Sequence, residues 1–180
     1  MRPQILQEVT QIAPYDELEK AHKLAAIDWI QSGAELFRTA KPATPPQHLV
    51  SYFVLTDGDF FLLVEHRNAG LWLPTGGHVE PDEHPRDAVV REAEEELAIE
   101  AQFIFDSPLF ITVTQTVGRT AGHTDVSLWY VLSHPRTARL QFDADEFKSV
   151  RWFHKDRLPL EHCDPHMGRF AAKLAAARAR

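Results

Sequence analysis

A single cysteine in 180 residues, Cys163, rules out an internal disulfide framework, and a lone thiol fits a reducing compartment. No stretch approaches the roughly 20 consecutive apolar residues needed to cross a bilayer. The opening MRPQILQEVTQIAP also lacks the continuous apolar core of a secretory signal, so a soluble, cytoplasmic protein is expected. Cations are outnumbered, 19 Lys and Arg against 26 Asp and Glu, and they form no cluster. The formal net charge of -7 opposes a surface for DNA, RNA or an anionic membrane. It does not oppose a compact anionic ligand, which one divalent ion and a few donors can hold on an acidic protein. Internal repeats are lacking too, and the alanine-rich C-terminus reads as a helix that frays at its end.

What is present, 44% hydrophobic and 10% aromatic residues, suits one main core. Residues 1–47 read as a helical appendage and connector packed on the domain. Asp16 and Glu19 form a capping box, Leu18, Ala21, Ala25 and Trp29 trace one stripe, and prolines 42, 45 and 46 make the connector extended. Residues 48–160 have the texture of a mixed α+β domain. LVSYFVLT and FFLLVEHR flank a turn at Asp57-Gly58, LWLP is a short strand before a Gly76-Gly77 loop, and a helix is expected from about Pro85 to Leu97. LFITVTQTV, DVSLWYVLS and SVRWFH are further strands, and residues 161–180 supply a closing helix packed on the domain.

The chemistry concentrates in REAEEEL. At about 100° per residue, Glu92, Glu95 and Glu96 share one helical face while Glu94 points elsewhere. Three converging carboxylates repel one another unless a cation is present. The run is therefore either a solvated acidic face or a site for a hard divalent ion with oxygen ligands. Arg91 is placed to fork onto a carboxylate, with Glu95 four residues further on.

The longer pattern narrows this choice. Gly77, Glu83, Arg91-Glu92 and Glu95-Glu96 reproduce the signature G-x5-E-x7-R-E-U-x-E-E-x-G-U, with U aliphatic, so the chain resembles the Nudix hydrolases from about His48 to Leu160. Ala98 stands where the pattern has its second glycine, and Ala93 is a small residue at the first aliphatic position. The resemblance implies a Nudix fold, a mixed β-sheet sandwiched between α-helices, and Mg²⁺-dependent attack of water on a diphosphate linkage in a nucleotide derivative, with Mn²⁺ as a substitute. It implies Glu92, Glu95, Glu96 and the Gly77 carbonyl as metal ligands, with Glu80 and Glu83 as supporting groups. For the base that takes the proton of water, Glu146 in the acidic loop before the last strand is the expected residue. The alternative is a nucleotide-sensing module with weak catalysis.

Substrate contacts are less constrained. Arg67 and Arg119 are the candidate phosphate ligands. If DVSLWYVL alternates, Asp125, Ser127 and Trp129 share a face whose mixed polar and aromatic character suits a pocket. His78 is given no catalytic role, and His162, Cys163 and His166 read as a loop rather than a zinc site. A homodimer is left open.

Overall fold

The computed structural model describes residues 1–41, 44–116 and 122–179. Its sheet has seven strands: β1 (Gln47–Asp57), β2 (Phe60–His66), β3 (Trp72–Leu73), β4 (Thr75–His78), β5 (Phe110–Gln115), β6 (Thr124–Ser133) and β7 (Phe147–His154). The main path runs β3-β2-β1-β6-β5, with β4 also paired to β1 and β7 to β2. β1 and β6 run parallel, whereas the other pairings are antiparallel. The described residues form four helices: α1 (Arg2–Gln11), α2 (Glu17–Gln31), α3 (Pro85–Leu97) and α4 (Met167–Arg178).

Alternation along β1 explains the layers. Leu49, Phe53 and Leu55 face one core with Val89, Ala93 and Leu97 of α3 and with Ile5, Val9, Ala26 and Ile30 of α1 and α2. Val54 faces the opposite core, where Phe170 and Leu174 of α4 cover Phe61, Leu63, Phe110 and Trp129. The sheet is thus sandwiched between helices, as expected of the α+β Nudix fold.

Two sequence expectations fail in the N-terminal segment. Residues 2–11 form a separate helix that periodicity did not single out. In α2 the cap at Asp16 accepts from Glu19 N–H as expected, but the buried stripe is Glu19, Ala26 and Ile30, and Leu18 is 48% exposed. The cause is a satisfied buried carboxylate. Glu19 accepts from Tyr15 N–H, from Lys173 Nζ at 2.6 Å and from Ile111 N–H on the edge strand β5. An apolar count cannot find a stripe centred on a glutamate. Its position also occupies a backbone donor of an otherwise open sheet edge.

Gly76 and Gly77 lie in β4, not in a loop, and Gly76 pairs with Tyr52 of β1. Gly76 has φ +131°, and a methyl group there would lie 2.1 Å from Ser51 O, so both backbone shape and space exclude a side chain. α3 ends at Ala98 in the left-handed region, φ 51° and ψ 45°, with Ile99 N–H donating to Ala93 O. That is the position where the family pattern has glycine. Ala98→Gly is therefore expected to stabilise the protein by about 1 kcal/mol, raising Tm by roughly 2–4 °C in a melting experiment.

Candidate active site

α3 and β4 meet at one mouth of the sheet, and the cap and pairing just described aim the helix at the strand. Glu96 is buried, and its Oε2 accepts from Gly76 N–H at 2.9 Å. Glu92 lies against the next residue: a methyl group at Gly77 would sit 2.1 Å from Glu92 Oε1, so glycine is what lets the carboxylate reach the backbone. Glu95, at the rim, has a side chain 60% exposed.

Arg91 orders this group. Its Nε and Nη2 donate to the two oxygens of Glu83 at 2.9 and 3.0 Å, Nη1 donates to Glu92 Oε1 at 2.7 Å, and Nη2 also reaches His78 O. The contact to Glu95 is longer, 3.3 Å. Glu83 is thus the principal partner, eight residues back in the chain, and the Glu83 carboxylate raises the Arg91 pKa further.

The acidic loop reaches the same place through backbone bonds. Asp143 N–H donates to Glu96 O at 3.0 Å and Phe147 N–H to Asp143 O, which sets Glu146 at the cavity with Oε1 3.4 Å from His66 Nε2. Arg67 serves this loop: its N–H donates to Glu146 O and its Nε to Ala144 O at 2.8 Å. It does not line the cavity, so the expected phosphate contact is corrected to a positioning role. Arg119 lies outside the described residues.

The cavity measures about 1030 Å³ and is bordered by the box glutamates, Glu146, Tyr52, His78, Asp125 and Ser127 among others. Asp125 and Ser127 therefore face it, as alternation in β6 predicts. Trp129 does not. It is fully buried, its ring centroid lies 5.2 Å from that of Phe170 in α4, and its Nε1 donates to Thr112 Oγ1 at 3.0 Å. The three residues share a face, but α4 closes the end of that face at Trp129, leaving no surface for a ligand to stack on.

The electrostatics call for a cation. Burial raises the Glu96 pKa well above its ordinary value, and the charges of Glu92 and Glu146 add to the effect. Burial likewise raises Glu92, with Arg91 opposing and Glu95 and Glu146 assisting. Arg91 is largely taken by Glu83, so the carboxylates remain under-compensated. A divalent ion with oxygen ligands fits that donor set. Elsewhere in the cavity, burial lifts Asp125 to about 7 and, with Arg38 and the neighbouring imidazoles, lowers His78 to about 3.

Sequence reasoning did not group His78, His123 and Arg38 of this cavity wall with His48, which packs against the two imidazoles. His78 is half-buried on β4 rather than in a solvated loop. It packs 4.7 Å from the ring of His48, 6.0 Å from that of His123, and takes a contact from Arg38 Nη1 at 3.2 Å. These side chains come from β4, β1, the approach to β6 and the N-terminal segment. No spacing in one stretch could have grouped them.

Comparison with known proteins agrees with this geometry. A family model described as the NUDIX domain matches residues 46–174, and the chain belongs to that family. The CTP pyrophosphohydrolase of Escherichia coli (strain K12) is 46% identical over 56 residues, which is 29% of this chain and 42% of that protein. The match thus spans less than half the length of that relative. The solution structure of the E. coli ORF135 protein superposes with a TM-score of 0.54 at 26% identity, covering 74% of this chain and 91% of that one. The crystal structure of MutT protein from Methanosarcina mazei Go1 gives a TM-score of 0.60 at 17% identity, covering 78% and 100%, and shows the shared fold. Among the described residues, no helix is long and apolar enough to cross a membrane.

Proposed function

We propose that this Nudix protein is a Mg²⁺-dependent pyrophosphohydrolase that cleaves the diphosphate linkage of a nucleotide derivative, with Mn²⁺ able to substitute. The observation that carries the reading is the convergence of Glu92, Glu96 and Glu146, from a helix and a separate loop, on one cavity with too little positive charge to balance them. Glu92, Glu96 and the Gly77 backbone would hold the ion, with Glu95 at the rim. When bound, the ion supplies neutralisation of the diphosphate charge and acidification of water. The protein does the rest. Arg91 keeps Glu92 in one orientation, Gly76 N–H fixes Glu96, and Glu146, whose Oε1 lies 3.4 Å from His66 Nε2, receives the proton of the attacking water at Oε2. Asp125 and Ser127 offer polar contacts to the substrate, and Tyr52 an aromatic wall.

The test is a panel of nucleoside di- and triphosphates including CTP, nucleotide sugars and dinucleotides, with product identification. The expected result is Mg²⁺-dependent release of a nucleoside monophosphate or phosphorylated fragment, abolished by chelator. Mg²⁺ or Mn²⁺ alone should raise Tm, because the ion binds the folded carboxylate cluster and not the unfolded chain. Metal-dependent nucleotide binding with no product would identify a sensing module instead.

A further inference from the structure

Beside the glutamates, His48, His78, His123 and Asp125 each direct a ligating atom to a common region, all four atoms lying within 4.8 Å of one another. The sheet creates this cluster. His48 and Asp125 are register partners across the parallel β1/β6 ladder, His123 immediately precedes β6, and His78 ends β4. The His48 ring is 4.9 Å from that of His123, with 26° between their planes.

The hydrogen bonds decide which atoms are free. Pro45 O can only accept, so the 2.8 Å contact from His48 Nδ1 places the ring proton there and leaves a lone pair on Nε2. That Nε2 faces Asp125 Oδ1 at 3.5 Å, yet both atoms are buried without a hydrogen-bond partner. Two acceptors facing each other in the interior repel unless something stands between them. His123 Nε2 is 3.3 Å from the same oxygen, while its Nδ1 contacts Thr116 Oγ1 at 3.3 Å. Each imidazole is thus held through Nδ1 and offers Nε2, the arrangement found around metal-ligating histidines.

We propose that His48 Nε2, His123 Nε2 and Asp125 Oδ1 form a second metal site, for a borderline-soft divalent ion of the zinc class, with its fourth position open to the cavity beside His78. Bonds of about 2.0–2.1 Å in a tetrahedron set ligand atoms about 3.3 Å apart. The separations of Asp125 Oδ1 from His123 Nε2 and His48 Nε2, 3.3 and 3.5 Å, lie close to that spacing. Ligand chemistry separates the two centres: carboxylate oxygens suit Mg²⁺, whereas imidazoles with one carboxylate suit zinc and cobalt. His78 Nε2 is occupied by Arg38, so this fourth ring is a neighbour of the ion rather than one of its ligands. The assignment does not depend on the hydrolase reading.

The experiment uses the full chain carrying Glu92→Gln and Glu96→Gln, stripped with chelator and titrated with Co²⁺ as a spectroscopic probe, followed by Zn²⁺. One equivalent of Co²⁺ should bind with the intense visible absorption of tetrahedral coordination, resist excess Mg²⁺ and be displaced by one equivalent of Zn²⁺. Adding Asp125→Asn, or separately His123→Gln, should weaken binding by roughly 100-fold or more while the circular dichroism and cooperative melting persist. Absence of Co²⁺ binding would overturn the proposal. So would a spectrum of six-coordinate cobalt displaced by Mg²⁺, or an affinity unchanged in both variants.

Discussion

Glu96→Gln is expected to lower kcat by at least about 100-fold while leaving the protein folded, since it removes a charge from the proposed metal centre and keeps the side chain's size. The amide oxygen can still accept from Gly76 N–H, so the contact between α3 and β4 survives. Stability should move the opposite way from activity. Burial raises the folded-state pKa of Glu96 above its ordinary 4.5, so this carboxyl withdraws stability as pH rises through the interval between its unfolded and folded values. A neutral glutamine escapes that loss. The metal-free variant should therefore melt no lower than wild type at pH 7, and it should respond less to Mg²⁺. Measuring kcat and Tm on one preparation checks both, and near-normal turnover with ordinary Mg²⁺ dependence would remove Glu96 from the site.

Glu146→Gln should also lower kcat by roughly 100-fold, with KM little changed, because the side chain acts on the water and not on the bound nucleotide. The pH profile separates this from damage to the metal centre. Loss of the base should flatten the acidic limb of the profile, while the Mg²⁺ dependence set by Glu92 and Glu96 persists. Asp145→Asn is the matched control: Asp145 is exposed, and its N–H donates to Asp143 Oδ1 without involving its own carboxylate. If both variants keep wild-type kcat, Glu146 is not the base, and Glu80 and the box glutamates become the residues to test. Arg67 offers a further check on the loop, since its bonds to Glu146 O and Ala144 O act through position alone.

The box was legible because its chemistry is local. Glu92, Glu95 and Glu96 share a face by helical geometry, and the helix spans Pro85–Leu97 as its proline and periodicity indicate. Ala98 was readable for the same reason, as the end of that helix requires a left-handed residue whatever surrounds it. The hairpin about Gly58 and the strands β5 to β7 followed from short-range alternation and turn chemistry. Where a side chain's neighbours come from distant segments, the reading failed. α2 was phased wrongly because Lys173 and Ile111 N–H, far along the chain, make a buried glutamate stable. Trp129 was placed on the correct face but at the wrong end, because α4 alone decides where that face is covered.

The sequence by itself determined the family, the helix that carries the acid groups and the alternation that sends Asp125 and Ser127 to one side of β6, since helical rotation and strand pleat act within a few residues. Only the tertiary structure decided that Arg91 pairs chiefly with Glu83, that Glu146 borders the same cavity as the box, and that ligating atoms of His48, His123 and Asp125 gather within 4.8 Å of one another. Those contacts depend on strand register and on a loop anchored to Glu96 O, and sheet pairing joins residues whose separation along the chain carries no record of their distance in space.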